Sequence, residues 1–100
     1  MAQYPLAARQ GGNASLLDIV AAGAVVKATP GTIWSVHMTT ANTVAGGIYD
    51  CATVAAAAAA NLSAGLPIGL VGDVIRGPVP CQTGIVVIPG TTGVASAAYN

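Results

Sequence analysis

An all-β domain, a small antiparallel β-sandwich or β-barrel entered by an extended N-terminal arm, is the fold that this 100-residue sequence predicts. Three observations predict it. From Asp18 onward, short apolar runs alternate with Gly, Pro, Asn and Thr at intervals of about ten residues, the rhythm of strands separated by turns. Thr32 to Thr39 alternates at period two, with Trp34, Val36 and Met38 on one side and Ser35, His37 and Thr39 on the other. Residues 1–17 show no period at all. The chain therefore divides into an arm, residues 1–17, and a single β domain, residues 18–100.

The elements follow in order. Val25 to Ala28 reads as a strand, and Pro30-Gly31 turns the chain into the strand over Thr32 to Thr39. Gly47 to Cys51 is the next strand, and Val71 to Ile75 the one after. Gly84 to Ile88 is a continuous apolar run stopped by Pro89-Gly90, the pattern of a strand buried on both faces. Val94 to Tyr99 is the last. Ala55 to Ala60 breaks the rhythm: alanine is the best helix former, but six residues are too few to nucleate a helix alone. A single helical turn or an irregular crossover is expected there, ended by Asn61.

Composition points to an assembly part. With no Phe, one Trp and three Tyr, the core must be built from small side chains. Each buries little area at about 25 cal/mol per Å², and a chain of this length hides only about two-thirds of its unfolded surface. Self-association is the natural remedy. Only 6% of residues are charged, against about 25% in an ordinary soluble domain. The six are Arg9, Asp18, Lys27, Asp50, Asp73 and Arg76, and they sum to zero. Without a basic patch there is no footprint for nucleic acid. Uncharged stretches such as Cys51 to Gly72 are interrupted by Gly, Pro, Asn and Ser and lack charged flanks, so no membrane span is expected. Met1 to Pro5 lacks a positive, then apolar, leader pattern, which makes cytoplasmic synthesis the default.

Motifs for chemistry are not found. Gly65, Gly69 and Gly72 have the wrong spacing for a phosphate loop, and no nucleophile elbow occurs. One histidine, His37, cannot build a multi-histidine metal site. Asp50 and Asp73 read as turn residues. Cys51 and Cys81 match neither zinc nor redox spacing and are expected as buried free thiols, with a disulfide as the alternative. Asn13-Ala14-Ser15 and Asn61-Leu62-Ser63 fit the glycosylation acceptor pattern, which has no use without secretion. No cofactor and no enzymatic activity are expected. The arm is different: Tyr4, Pro5, Leu6, Arg9, Leu16 and Leu17 are more than a solubilising tail needs, and they are the candidate partner-binding residues. Pro5 favours an extended path, and Gly11-Gly12 allows a change of direction.

Val25-Val26-Lys27-Ala28-Thr29-Pro30-Gly31 leading into Ile33-Trp34-Ser35-Val36, then Ile48-Tyr49-Asp50, an Ala-rich connection, Gly84-Ile85-Val86-Val87 and a terminal strand with Tyr99, resembles the small virion proteins of tailed bacteriophages. The resemblance covers about Ala24 to Asn100. It implies a capsid decoration (cement) protein on the virion surface, made in the host cytoplasm. Such a protein oligomerises, as a trimer, and clamps the major capsid protein. Two alternatives remain: a head-fibre, tail or adhesion component, and a carbohydrate- or cell-surface-binding module with Trp34, Tyr49 and Tyr99 as stacking platforms.

Overall fold

Ile85, Val86 and Val87 are consecutive and all fully buried, so the strand that carries them lies inside a sheet with cover on both faces. The computed structural model describes residues 14–100 and arranges eight strands around that run. They are β1 (Ala14–Ile19), β2 (Ala24–Lys27), β3 (Gly31–Thr40), β4 (Gly46–Tyr49), β5 (Leu62–Leu66), β6 (Gly72–Cys81), β7 (Ile85–Ile88) and β8 (Val94–Tyr99). Two four-stranded antiparallel sheets result, in the orders β1-β8-β3-β6 and β2-β7-β4-β5. We call them sheets A and B. Ile19, Ile33, Val36, Met38, Ala95 and Ala97 from sheet A meet Val26, Ile48, Leu66, Ile85 and Val87 from sheet B in one core. This is a β-sandwich, one of the two architectures expected.

Several details differ from the sequence expectation, each for a local reason. The arm was expected to run to Leu17, and the domain to begin at Asp18. Strand β1 instead starts at Ala14, opposite Tyr99 at the end of β8. Asp18 has φ 54° and sits at a register shift between Leu16 and Ile19, so the alternation is broken where sequence would show it. Trp34 does not share a face with Val36 and Met38. The register slips between Ile33 and Ser35, which puts Ile33 in the core and leaves Trp34 half-buried outside it. Its indole Nε1 is buried with no hydrogen-bond partner among the described residues.

Strand β6 runs to Cys81, well beyond Ile75, and includes Pro78 and Pro80. It lies at the edge of sheet A, where missing N–H groups are tolerated and an open edge is blunted. Strand β5, Leu62–Leu66, lacks the β-branched and aromatic residues that mark a strand, and the sequence did not predict it. The Ala run forms two 3₁₀ turns, Val54–Ala56 and Ala59–Asn61. Thr53 Oγ1 accepts from the Ala56 N–H, and Asn61 ends the second turn by accepting from the Ala58 N–H and donating to the Ala56 carbonyl. No α-helix occurs among the described residues.

Connectivity gives the sandwich two unlike ends. β1 runs to β2, β3 to β4, β5 to β6 and β7 to β8, each time crossing from one sheet to the other. The pairings of Ile19 with Ala95, Thr40 with Val94 and Gly46 with Leu66 place all four crossings at one end. The connections 28–30, 50–61 and 82–84 lie at the opposite end, together with Ala14 and Asn100.

Candidate docking surface

The four crossings at the first end are residues 20–23, 41–45, 67–71 and 89–93, and none contains a charged residue. Four of the five loop residues Pro67-Ile68-Gly69-Leu70-Val71 are apolar, yet they hang in solvent. Ile68 is 60% and Val71 65% exposed, and Val20, Val44 and Leu70 are exposed beside them. Isolated exposed aliphatics need no explanation, but a set gathered on one end is a candidate interaction surface.

The loops are held in place by one buried side chain. Asn42, 2% exposed, donates from Nδ2 to the Pro89 carbonyl at 2.7 Å and, more weakly, to the Leu66 carbonyl at 3.5 Å. Its Oδ1 accepts from the Gly69 N–H at 2.9 Å. Three of the four loops are thereby tied to one amide. Around it, the Thr43 N–H donates to the Thr91 carbonyl at 2.9 Å, and Thr92 Oγ1 donates to the Ala41 carbonyl at 3.4 Å. Gly90, at φ 101°, lets the loop 89–93 approach 41–45 so closely that a Cβ would strike the Val44 carbonyl oxygen. Apolar side chains on loops tied this tightly are presented in fixed positions, which lowers the ordering cost of binding.

The outer face of sheet A is polar. Ser96, His37 and Asp73 sit directly opposite one another on β8, β3 and β6. His37 Nδ1 lies 3.0 Å from Asp73 Oδ1, and Arg76 reaches Asp73 Oδ2 at 3.8 Å. The hydrogen bond from His37, helped by the charges of His37 and Arg76, holds the Asp73 carboxyl below the usual range. Asp73 is thus a strand residue paired with His37, not a turn residue. The types Ser, His and Asp share a row here, but both His37 and Asp73 are about half exposed, and no hydrogen bond joins Ser96 to His37. Nothing in the row prepares the serine as a nucleophile.

Asp50 works at the opposite end. Its carboxylate accepts from the backbone N–H groups of Gln82 (3.0 Å), Thr83 (2.7 Å) and Gly84 (3.3 Å), so it caps the turn between β6 and β7. The Gln82 and Thr83 bonds depress its pKa most. Asp50 and Asp73 therefore stand at different ends and do not form an acid–base pair. Cys51 and Cys81 are buried free thiols, and burial, followed by the nearby Asp50 charge, pushes the Cys81 thiol up.

Of the residues expected to bind a partner, Tyr4, Pro5, Leu6 and Arg9 lie outside the described residues, as do Gly11-Gly12 and Asn13. Leu16 faces inward against the core opposite Ala97, which removes it from the candidate surface. Leu17 is 67% exposed and remains available. Trp34 stands outside the core, Tyr49 belongs to sheet B and Tyr99 packs against the core. The three aromatics do not converge on one platform. Asn42 and the loop tips around it were missed by sequence reasoning, because an Asn within Ala41-Asn42-Thr43 looks like any turn residue. No family model, curated protein or solved structure matches the chain.

Proposed function

We propose that the protein is a structural subunit, a capsid decoration (cement) protein, that docks its uncharged loop end on the lattice of the major capsid protein at the virion surface. The observation that carries this reading is the loop end itself: five exposed aliphatic side chains on loops clamped by Asn42. Fully burying a Val, Leu or Ile is worth about 1.5–3 kcal/mol, so five that are already half-buried add roughly 4–7 kcal/mol. Losing free motion on association costs about 4–15 kcal/mol. One copy of the surface is therefore a weak binder, and several linked copies on a repeating lattice bind well through effective concentration. That arithmetic supports a homo-oligomer, for which the resemblance implies a trimer.

The test is binding of purified protein to undecorated particles. Ile68→Asp and Val71→Asp, both at exposed positions, are expected to weaken attachment by about tenfold or more while the melting temperature stays close to the parent's. Unchanged attachment of both variants overturns the reading.

A further inference from the structure

The single tryptophan stands on the polar outer face of sheet A. Ile33 and Val36 both belong to the core, so the slip between Ile33 and Ser35 turns Trp34 and Ser35 outward together. Trp34 Nε1 is buried while the residue as a whole is partly exposed, so the part of the indole that reaches solvent is carbon. Small residues flank it. Ala98 lies opposite Ser35 on β8, and on β6 a Cβ added to Gly77 would meet nothing within 4 Å. Hydrogen-bonding groups follow along the same face. Arg76 is opposite Ser35, and Asp73 and Ser96 are opposite His37. His37 turns Nδ1 to Asp73 at 3.0 Å, which leaves Nε2 without a partner among the described residues. Asp73 and Arg76 offset each other in charge.

We propose that this face binds a short neutral saccharide, with the C–H side of a sugar ring on Trp34 and its hydroxyls on His37, Asp73, Arg76 and Ser96. The chemistry selects that class. A sugar ring has an apolar C–H side, which matches exposed indole carbon, and a rim of hydroxyls that both donate and accept. Asp73 accepts only, Arg76 donates only, and His37 and Ser96 complete the set. An anion would meet the Asp73 carboxylate and a cation the Arg76 guanidinium, so neither finds a complementary field. Trp34 and His37 are about 10 Å apart along β3, and β8 to β6 spans two strand spacings, also about 10 Å. That is room for a short saccharide on an open surface. One copy therefore binds weakly, and several linked copies gain through effective concentration. The proposal goes beyond docking and uses a different surface, the side of sheet A in place of the loop end.

With one tryptophan in the chain, its fluorescence reports this face alone. The experiment titrates the full chain with cellotetraose, maltotetraose, mannotriose and chitotriose, beside sialyllactose and a sulfated disaccharide as charged comparators. At least one neutral sugar should change the emission saturably, and the charged sugars should not exceed it. Calorimetry then compares variants with the sugar that binds. Arg76→Ala and His37→Ala, both at exposed positions, should each weaken binding by about fivefold or more while circular dichroism stays that of the parent. Trp34→Ala should remove binding, and if that variant fails to fold, the two exposed variants decide. Emission unmoved by every neutral sugar, a stronger response to the charged comparators, or exposed variants that bind like the parent overturns the proposal. Particle binding is not read, so failure of the docking reading leaves this result standing, and the reverse holds as well.

Discussion

Asn42 and Pro89 are 47 residues apart in sequence and joined by a 2.7 Å hydrogen bond from the Asn42 side chain to the Pro89 carbonyl. The same amide accepts from Gly69, so two loops lose a partner together if it is removed. Asn42→Ala takes the side-chain donor from the Pro89 and Leu66 carbonyls, at about 1–3 kcal/mol for each that water cannot reach, and leaves the Gly69 N–H only its longer 3.2 Å bond to the Asn42 backbone carbonyl. We expect a loss of about 2–4 kcal/mol, read as a lower urea midpoint at unchanged slope. Asn42→Asp should be worse, since it turns a carboxylate toward carbonyl oxygens. A midpoint unchanged by both substitutions would remove Asn42 from its role.

Thr92 holds a φ of 63° in the turn between β7 and β8, a conformation that a β-branched residue resists. The left-handed backbone costs about 1–2 kcal/mol per residue without glycine's freedom. Thr92→Gly should therefore stabilise by roughly 0.5–1 kcal/mol after the added chain entropy is deducted, since the exposed 3.4 Å bond to Ala41 is too long to add much. A rise of a few degrees in Tm checks it, and a fall would show that the hydroxyl outweighs the strain.

Acid should loosen the domain through Asp50 and Asp73. Both have folded-state pKa values below their ordinary ones, Asp50 through the Gln82 and Thr83 N–H bonds and Asp73 through His37. A depressed carboxylate adds stability that is fully present above its unfolded value, about 3.9, and is lost as pH falls through the folded value. Asp50→Asn should lower stability by about 1 kcal/mol at neutral pH, allowing for solvent screening. Below the folded-state value of Asp50, where its carboxyl is protonated in both states, the difference should vanish. His37→Ala should return Asp73 toward the ordinary carboxylate range in an NMR titration.

Cys51 and Cys81 should be slow to react. Thiolate is the reactive form, and Cys81 is buried and pushed up. Alkylation at mildly alkaline pH should therefore wait on opening of the fold, and both thiols should react at once in denaturant. Fast labelling of either in native protein would contradict the burial.

Legibility followed local pattern. Strand β7 announces itself as four consecutive Ile and Val residues, and β3 as a polar–apolar alternation, and both lie within a residue or two of where sequence puts them. Faces are harder. The slip at Trp34 exchanges the roles of Ile33 and Trp34, and nothing in the letters marks a bulge. Strand β5 is built from Leu62-Ser63-Ala64-Gly65-Leu66, whose strand character comes from pairing with β4 and not from propensity. The loop end was illegible for a different reason. Val20, Val44 and the loop that carries Ile68 and Val71 are far apart in sequence, and only the four crossings bring them to one place.

The position of β8 governs how this chain can acquire its fold. It is the last of the described strands, yet it lies inside sheet A between β1, the first of them, and β3. Until residues 94–99 arrive, Ala14–Ile19 has no strand to pair with, and β3 lacks one of its two neighbours. Sheet A therefore cannot close until residues 94–99 have been synthesised. Closure then joins segments about eighty residues apart, the kind of long-range pairing that slows β-rich domains. In that interval the apolar strands of both sheets are open to one another's copies. With 6% of residues charged and no net charge, electrostatic repulsion does little to keep such copies apart.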